Sequence, residues 1–270
     1  MFRPTSFVTF FAVALMIAGA SAFAQVSQLD QIQVAPPVRQ VEAPSPTASV
    51  AELEKRGDEL RSEKAYLDAI DYFNAALAKE PDNASIENKL GISELMLQRY
   101  RDAGKSFERA IRKDQKFSEA YNNLGVVEYE RKKYRGAVKY YKKAISISSD
   151  SPSAYSNLGA AYFAQKKFEL ASQMYMQALK LDPMIFERTS RAGIAAQMAS
   201  PQDRAHYSYV LAKLYAQLGD SDHSLEYLRK AMEEGYKGVK DVYTDPEFAT
   251  LRKDARFTEL MKEKPPALPE

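Results

Sequence analysis

The chain has 270 residues, 27% of them charged and 45% hydrophobic, and a net charge of +2 at neutral pH. That balance is ordinary for a folded, water-exposed protein and supplies no global pull toward nucleic acid or an anionic membrane. The absence of cysteine excludes disulfides, thiol catalysis, cysteine zinc sites and lipid attachment through cysteine, and His206 and His223 are too few for a histidine metal centre.

Residues 1–24 read as a secretory leader. Arg3 supplies a short basic start, an apolar run containing Phe10, Phe11, Leu15 and Ile17 comes next, and Ala22-Phe23-Ala24 gives the small-x-small cleavage pattern. The apolar run is shorter than the ~20 residues a membrane span needs. The expectation is export to the periplasm of a bacterium; secretion, or anchoring by an uncleaved leader, is the alternative. Residues 25–49 are rich in Pro, Gln, Ser and Val without helical period, which predicts an extended, mobile linker.

A 34-residue period then takes over. Residues 118–151 and 152–185 align without a gap: Tyr121 on Tyr155, Asn123-Leu124-Gly125 on Asn157-Leu158-Gly159, Ala137 on Ala171, Tyr141 on Tyr175, Ala144 on Ala178. Units 50–83 and 84–117 keep the phase through Gly57 and Gly91, Ala69 and Ala103, Phe73 and Phe107, Ala76 and Ala110. Such self-similarity marks helical hairpins that bury their apolar faces only by stacking. The glycines and Ala137 and Ala171 predict close approach of the two helices of a hairpin, and Tyr141 and Tyr175 predict large contacts between hairpins. Arg56 stands where later units have leucine, which predicts a wet face on the first helix. Asp182-Pro183 stops a helix, because the residue before proline is pushed out of the α region.

Beyond Pro183 the phase breaks. Residues 186–204 predict one connecting helix over 186–198, with Ser200 as N-cap and Pro201 opening the next helix. A fifth unit resumes over 205–238 with Leu211, Ala212, Tyr215 and Ala231, closed by Gly235. Residues 239–264 predict two short helices, one begun by Asp245-Pro246 and burying Phe248 and Leu251, the other begun by Asp254 and burying Phe257, Leu260 and Met261. Together they would cover the open end of the array, with 265–270 a loose tail.

The pattern of a large residue, Leu-Gly, Ala, aromatic, Ala and finally Asp-Pro resembles the tetratricopeptide repeat. The arrangement of residues 235–260 resembles the closing segment of some bacterial members. The resemblance implies an all-α, right-handed α-solenoid of helix–turn–helix hairpins with a helical C-terminal cap. It also implies partner contacts on the concave side, at set places on the first helix of each hairpin. Here those places hold Asn88, Ile92, Asn122, Asn123, Val126, Tyr129, Ser156, Asn157, Ala160 and Phe163. Asparagine can bond both groups of an extended backbone, and Tyr129 and Phe163 are anchors of the kind that dominate interfaces. The lysine, arginine and asparagine set that clamps a C-terminal carboxylate in some members is missing: Ser153 and Asn157 stand at two of its places, and Ile92 and Val126 replace asparagine.

No catalytic residue, cofactor or metal site is predicted. Gly104-Lys105-Ser106 ends like a phosphate loop, but Arg99 occupies the place of its first glycine. The stretch from Arg99 to Lys143 holds fourteen Lys or Arg against six Asp or Glu. It reads first as a solvated helix face and otherwise as a site for an acidic partner or polyanion. The function expected is a non-enzymatic scaffold of the cell envelope that binds an extended peptide or helix of another protein, with no nucleic acid and no membrane contact beyond the leader. The alternative is an accessory subunit that positions a periplasmic enzyme. Partner, pathway and oligomeric state are not encoded in these motifs.

One prediction belongs to the leader. Intact-mass measurement of the exported chain should give a polypeptide beginning at Gln25; a retained residue 1 would refute cleavage.

Overall fold

Residues 41–189 and 200–263 of the computed structural model are described here; the expected leader, most of the expected linker, the greater part of the expected connecting helix (190–199) and residues 264–270 lie outside the described residues. Four helix pairs succeed one another at the 34-residue spacing: α1 (Val50–Ser62) with α2 (Tyr66–Lys79), α3 (Ala84–Met96) with α4 (Tyr100–Lys113), α5 (Ser118–Glu130) with α6 (Tyr134–Ile147), and α7 (Pro152–Ala164) with α8 (Phe168–Leu181). A short helix α9 (Ile185–Thr189) precedes the last pair, α10 (Pro201–Gln217) and α11 (Ser221–Glu233). Each helix packs on its hairpin mate, and α2, α4 and α6 pack on the first helix of the next hairpin. Among the described residues there is no strand, and the fold is an all-α solenoid of helix–turn–helix hairpins.

Helix starts are set by capping side chains. The oxygens of Ser49, Asn83, Ser151, Ser200 and Asp220 accept from the backbone N–H of Glu52, Ile86, Ala154, Asp203 and His223. A cap of this kind contributes about 0.5–2 kcal/mol. Ser49 and Glu52 close a reciprocal capping box, with Ser49 N–H donating to Glu52 Oε2 at 2.7 Å. Proline at the first position of α7 and α10 costs no hydrogen bond. As expected, α8 stops at Leu181, with Asp182 extended.

The turn inside each hairpin repeats as faithfully as the helices. Lys64, Gln98, Lys132 and Lys166 all have φ between 57° and 63°. They stand 34 residues apart, and Gly219, with φ 78°, takes the same place in the last pair. The next N–H reaches back to the helix in every case: Ala65 to Leu60, Arg99 to Glu94, Lys133 to Glu128, Lys167 to Tyr162 and Asp220 to Tyr215, at 2.8–3.0 Å. These are left-handed helix ends that satisfy otherwise orphaned carbonyls. Four of the five lack the usual glycine.

Inside the hairpin, glycine faces an aromatic ring. A methyl group on Gly57 or Gly91 would stand 2.6 or 2.7 Å from the ring of Phe73 or Phe107. On Gly125 or Gly159 it would stand 2.5 Å from Tyr141 or Tyr175. The sequence pattern predicts small residue against small residue and gives the rings to the space between hairpins. The structure instead seats each buried ring on the glycine of its own hairpin, so the ring serves both contacts. The last pair solves the same problem differently. Ala212 replaces glycine, Leu228 replaces the ring, and Ser224 replaces the alanine, its Oγ donating to the Ala212 carbonyl at 2.8 Å. All three are fully buried.

Two other expectations change. The end of the proposed linker is docked: Val41 N–H donates to Asp68 at 3.1 Å, and Lys79 Nζ donates to the carbonyls of Pro46 and Ala48 at 2.7 and 2.6 Å. Val41 and Ala48 pack on the first hairpin's core. An end hairpin has an uncovered face, and this segment supplies part of its cover. Arg56 is half-buried and pairs with Glu59 at 3.0 Å, so that position is polar as expected. Near the other end, Val239–Tyr243, Pro246–Ala249 and Leu251–Lys253 form single 3₁₀ turns in place of the first predicted helix, and only Ala255–Glu263 (α12) is an α-helix. Asp245 does not cap; its carboxylate is taken by Tyr209 OH at 2.8 Å and Lys213 at 3.1 Å. Phe248, Leu251, Phe257 and Leu260 are buried as expected, in one cluster with Leu211 and Leu228.

Gly125→Leu should therefore drive Tyr141 off its seat and destabilise the protein by about 1–3 kcal/mol or more. Thermal melting reads the loss, and a variant as stable as the parent would refute the ring-on-glycine contact.

Candidate functional site

The expected contact residues divide into three groups. Asn88, Asn122, Asn123 and Asn157 join into one chain of side-chain amides across α3, α5 and α7. Asn157 Nδ2 donates to Asn122 Oδ1 at 3.0 Å, Asn122 Nδ2 to Asn123 Oδ1 at 3.3 Å, and Asn123 Nδ2 to Asn88 Oδ1 at 3.0 Å. Each of these bonds uses one of the two hydrogens on its Nδ2 and one of the two lone pairs on its Oδ1. The row is thus oriented with donors and acceptors in reserve. Asn88 is nearly buried, whereas the other three are half-exposed.

Ile92 lines the cavity beside the amides, Val126 and Tyr129 follow Asn122 and Asn123 on α5 and pack on the core, and all three are half-buried. A cavity of about 260 Å³ opens beside Asn88, Ile92, Asn122 and Asn123. That is below the ~300–1,000 Å³ of small-molecule pockets, and suits one side chain or a length of backbone. Tyr129 sits 5.3 Å from the Tyr134 ring. Burial, with lesser contributions from Tyr134 and Glu130, pushes its phenol up to about 12. It is therefore a neutral hydrogen-bond donor at physiological pH.

Ser156, Ala160 and Phe163 are different. All three are buried, at 2–3% exposure, and do not present the contact surface the repeat pattern implied. The cause is the chain beyond the fourth hairpin. Helix α9 lies against α7. The Phe163 ring is enclosed by Phe168 at 4.9 Å, His206 at 5.5 Å and Tyr207 at 6.0 Å. At the other end the row is closed by charge. Lys89 on α3 pairs with Glu54 at 2.7 Å and Asp58 at 2.5 Å, both on α1. Burial alone would lower this ammonium, but the bonds to the two carboxylates outweigh it and raise it. The open row is thus bracketed by an ion-pair clamp and a hydrophobic plug.

The basic stretch is partly spent on structure. Arg109 and Lys113 hold buried Glu87 at 2.8 and 2.9 Å, tying α4 to α3. Tyr141 is core, and Arg135, Lys139, Lys142 and Lys143 are exposed on α6. The Gly104-Lys105-Ser106 stretch lies within α4, with Ser106 buried and its hydroxyl donating to Glu94 at 2.6 Å. Its helical backbone cannot form a phosphate-cradling loop.

Sequence reasoning missed a larger cleft of about 700 Å³ between α8, α10 and the 3₁₀ turns, lined by Glu169, His206, Tyr209, Lys213, Tyr236, Asp241, Asp245 and Glu247. The signal was present. His206, Tyr209, Val210, Lys213 and Gln217 occupy in the fifth unit the places that Ser153, Ser156, Asn157, Ala160 and Ala164 occupy in the fourth. Only their extension past the phase break was lacking.

An all-α array of hairpins with a polar row across successive first helices defines an interaction module. Family models described as TPR repeat match residues 127–166, and models described as tetratricopeptide repeat match 152–184 and 205–234. The chain contains tetratricopeptide repeats, and such repeats serve protein–protein interaction. Among curated proteins, a chloroplastic protein of Arabidopsis thaliana is 33% identical over 64 residues, which is 24% of this chain and 19% of that protein. The chain thus matches about a fifth of that relative's length. Among solved structures, MamA (41-end) from Desulfovibrio magneticus RS-1 is 17% identical, with 70% of this chain and 97% of that chain covered and a TM-score of 0.50. YrrB, described as a TPR protein with an unusual peptide-binding site, is 18% identical over 76% of this chain and 92% of its own, with a TM-score of 0.46. At 17% identity the likeness to MamA is one of fold.

Phe163→Ala should behave as a core truncation and cost about 3–5 kcal/mol. A change in thermal stability below ~0.5 kcal/mol, as for a surface position, would return Phe163 to the contact surface.

Proposed function

We propose that the amide row of α3, α5 and α7 holds an extended peptide segment of another protein, and that the chain is a non-enzymatic scaffold. The observation that supports the reading is the chain of bonds from Asn157 to Asn88. It orients neutral donors and acceptors along a groove that Ile92 lines, with Val126 and Tyr129 following on α5. A peptide backbone offers one donor and one acceptor per residue, and the unspent amide hydrogens and lone pairs match that alternation. The groove is too small for a folded domain, and Glu119 is the one charged side chain among the described residues that line its cavity. The leader pattern of residues 1–24 supports placing this scaffold in the bacterial envelope, on the periplasmic side. The 3₁₀ turns and α12, whose buried side chains pack on the last hairpin, are proposed to be the closing segment of the array.

The test places a photo-crosslinking side chain at position 126 and maps cross-linked peptides by mass spectrometry in the native host. Asn123→Ala with Asn157→Ala should lower cross-link yield about five-fold or more, since a hydrogen bond contributes ~0.5–1.5 kcal/mol. The variant also loses its bonds to Asn88 and Asn122, about 1–3 kcal/mol in all, so yield is compared well below its melting temperature. Undiminished yield from that double variant would sink the amide row as the contact surface.

A further inference from the structure

The cleft of α8 and α10 is separate from the amide row, because buried Ser156, Ala160 and Phe163 lie between them. Its chemistry is also different. Among the described residues, Glu169, Asp241, Asp245 and Glu247 line it against one cation, Lys213. Lys213 lies 3.1 Å from Asp245 and 3.3 Å from Glu247, so a single ammonium is shared by two carboxylates. Burial shifts the His206 imidazole downward, against its charged form. The cleft is therefore acidic, in a chain whose net charge is positive.

Aromatic faces complete it. Tyr209 and Tyr236 stack at 4.3 Å with 22° between their planes, and His206 stacks on Tyr236 at 5.7 Å. Glu247 spends Oε1 on Lys213 and on Gln217 at 3.3 Å, while its buried Oε2 has no partner. The faces of tyrosine rings attract cations. Guanidinium combines a stacking plane with a fork of donors that fits a carboxylate, which an ammonium cannot match.

We propose that this cleft is a second recognition site, which takes an arginine side chain of a polypeptide segment against the half-buried Tyr236 ring, with the exposed carboxylates of Glu169 and Asp241 as its partners. The cavity, about 700 Å³, has room for the side chain and the backbone on either side of it. Recognition here is carried by charge, so salt weakens it.

The experiment uses the full chain and a fluorescein-labelled heptapeptide, Gly-Ser-Arg-Gly-Ser-Arg-Gly, with anisotropy as the readout at low salt. The arginine peptide should bind about ten-fold tighter than its glutamine analogue and detectably tighter than its lysine analogue. Glu169→Gln with Asp241→Asn, both exposed positions, should weaken it about five-fold at unchanged melting temperature. Equal affinity for the glutamine peptide, or affinity untouched by the double variant, would overturn the proposal. Competition by free arginine at the peptide's own affinity would also overturn it, leaving a site for small cations. Loss of binding in Asn123→Ala, with the cleft variant unaffected, would move the peptide to the amide row and overturn it as well.

Discussion

The fold turns on a glycine beneath a ring. In the first four hairpins a first-helix glycine receives an aromatic ring from the second helix, so close that even a methyl group would collide. The contact does more than bury area. A ring seated on one residue fixes both the axial register and the rotation of the two helices, because a shift by one residue would replace glycine with leucine (arginine in the first hairpin) on one side or a larger neighbour on the other. Once rotation is fixed, so is the identity of the residues that look away from the mate. The amide row is therefore a consequence of packing: Asn88, Asn122, Asn123 and Asn157 meet because Gly91, Gly125 and Gly159 are where they are.

The last hairpin shows that the constraint is one of combined volume. Ala212 and Leu228 exchange bulk between the two sides of the contact, and both remain fully buried. The third participant changes in compensation. Serine at position 224 puts a hydroxyl where the other hairpins have a methyl group, and the Ala212 carbonyl satisfies it. A polar group in such a place is tolerated only when bonded. Core pairs that conserve volume are the substitutions a packed interior accepts with least loss.

Much of this was legible in the sequence, for a physical reason. Period, caps and breakers are local properties, and Ser200 and Asp182-Pro183 mark helix ends where the structure has them; the caps at Ser49, Asn83 and Ser151 went unread. What was hidden depended on context. Lys64, Gln98, Lys132 and Lys166 adopt a left-handed conformation that side-chain type alone would assign to glycine. It persists because the backbone bonds around it are made by the hairpin as a whole. Residues 41–49 carry no helical period, yet Asp68 and Lys79 hold them against α2. Phe163 matched an exposed place in the repeat, but exposure there depends on what the next hairpin does. The cleft was invisible for the same reason, since it requires α8, α10 and the 3₁₀ turns together.

Position along the array, more than residue type, thus decides what an inner-face side chain does. Compare one place through successive hairpins. Asp58 on α1 pairs with Lys89; Ile92 lines the cavity beside the amides; Val126 packs on the core; Ala160 is buried; Lys213 bridges two carboxylates. The backbone environment supplied by the repeat is nearly constant, while the side chain and its neighbours are not. The amide row is closed on one side by the ion pairs of α1 and on the other by Phe163 of α7 packed on Tyr207 of α10. A neutral row selects by hydrogen-bond geometry and responds weakly to salt, whereas the acidic cleft beyond the plug selects by charge. If both proposed surfaces engage one polypeptide, a contact made at the first raises the effective concentration at the second.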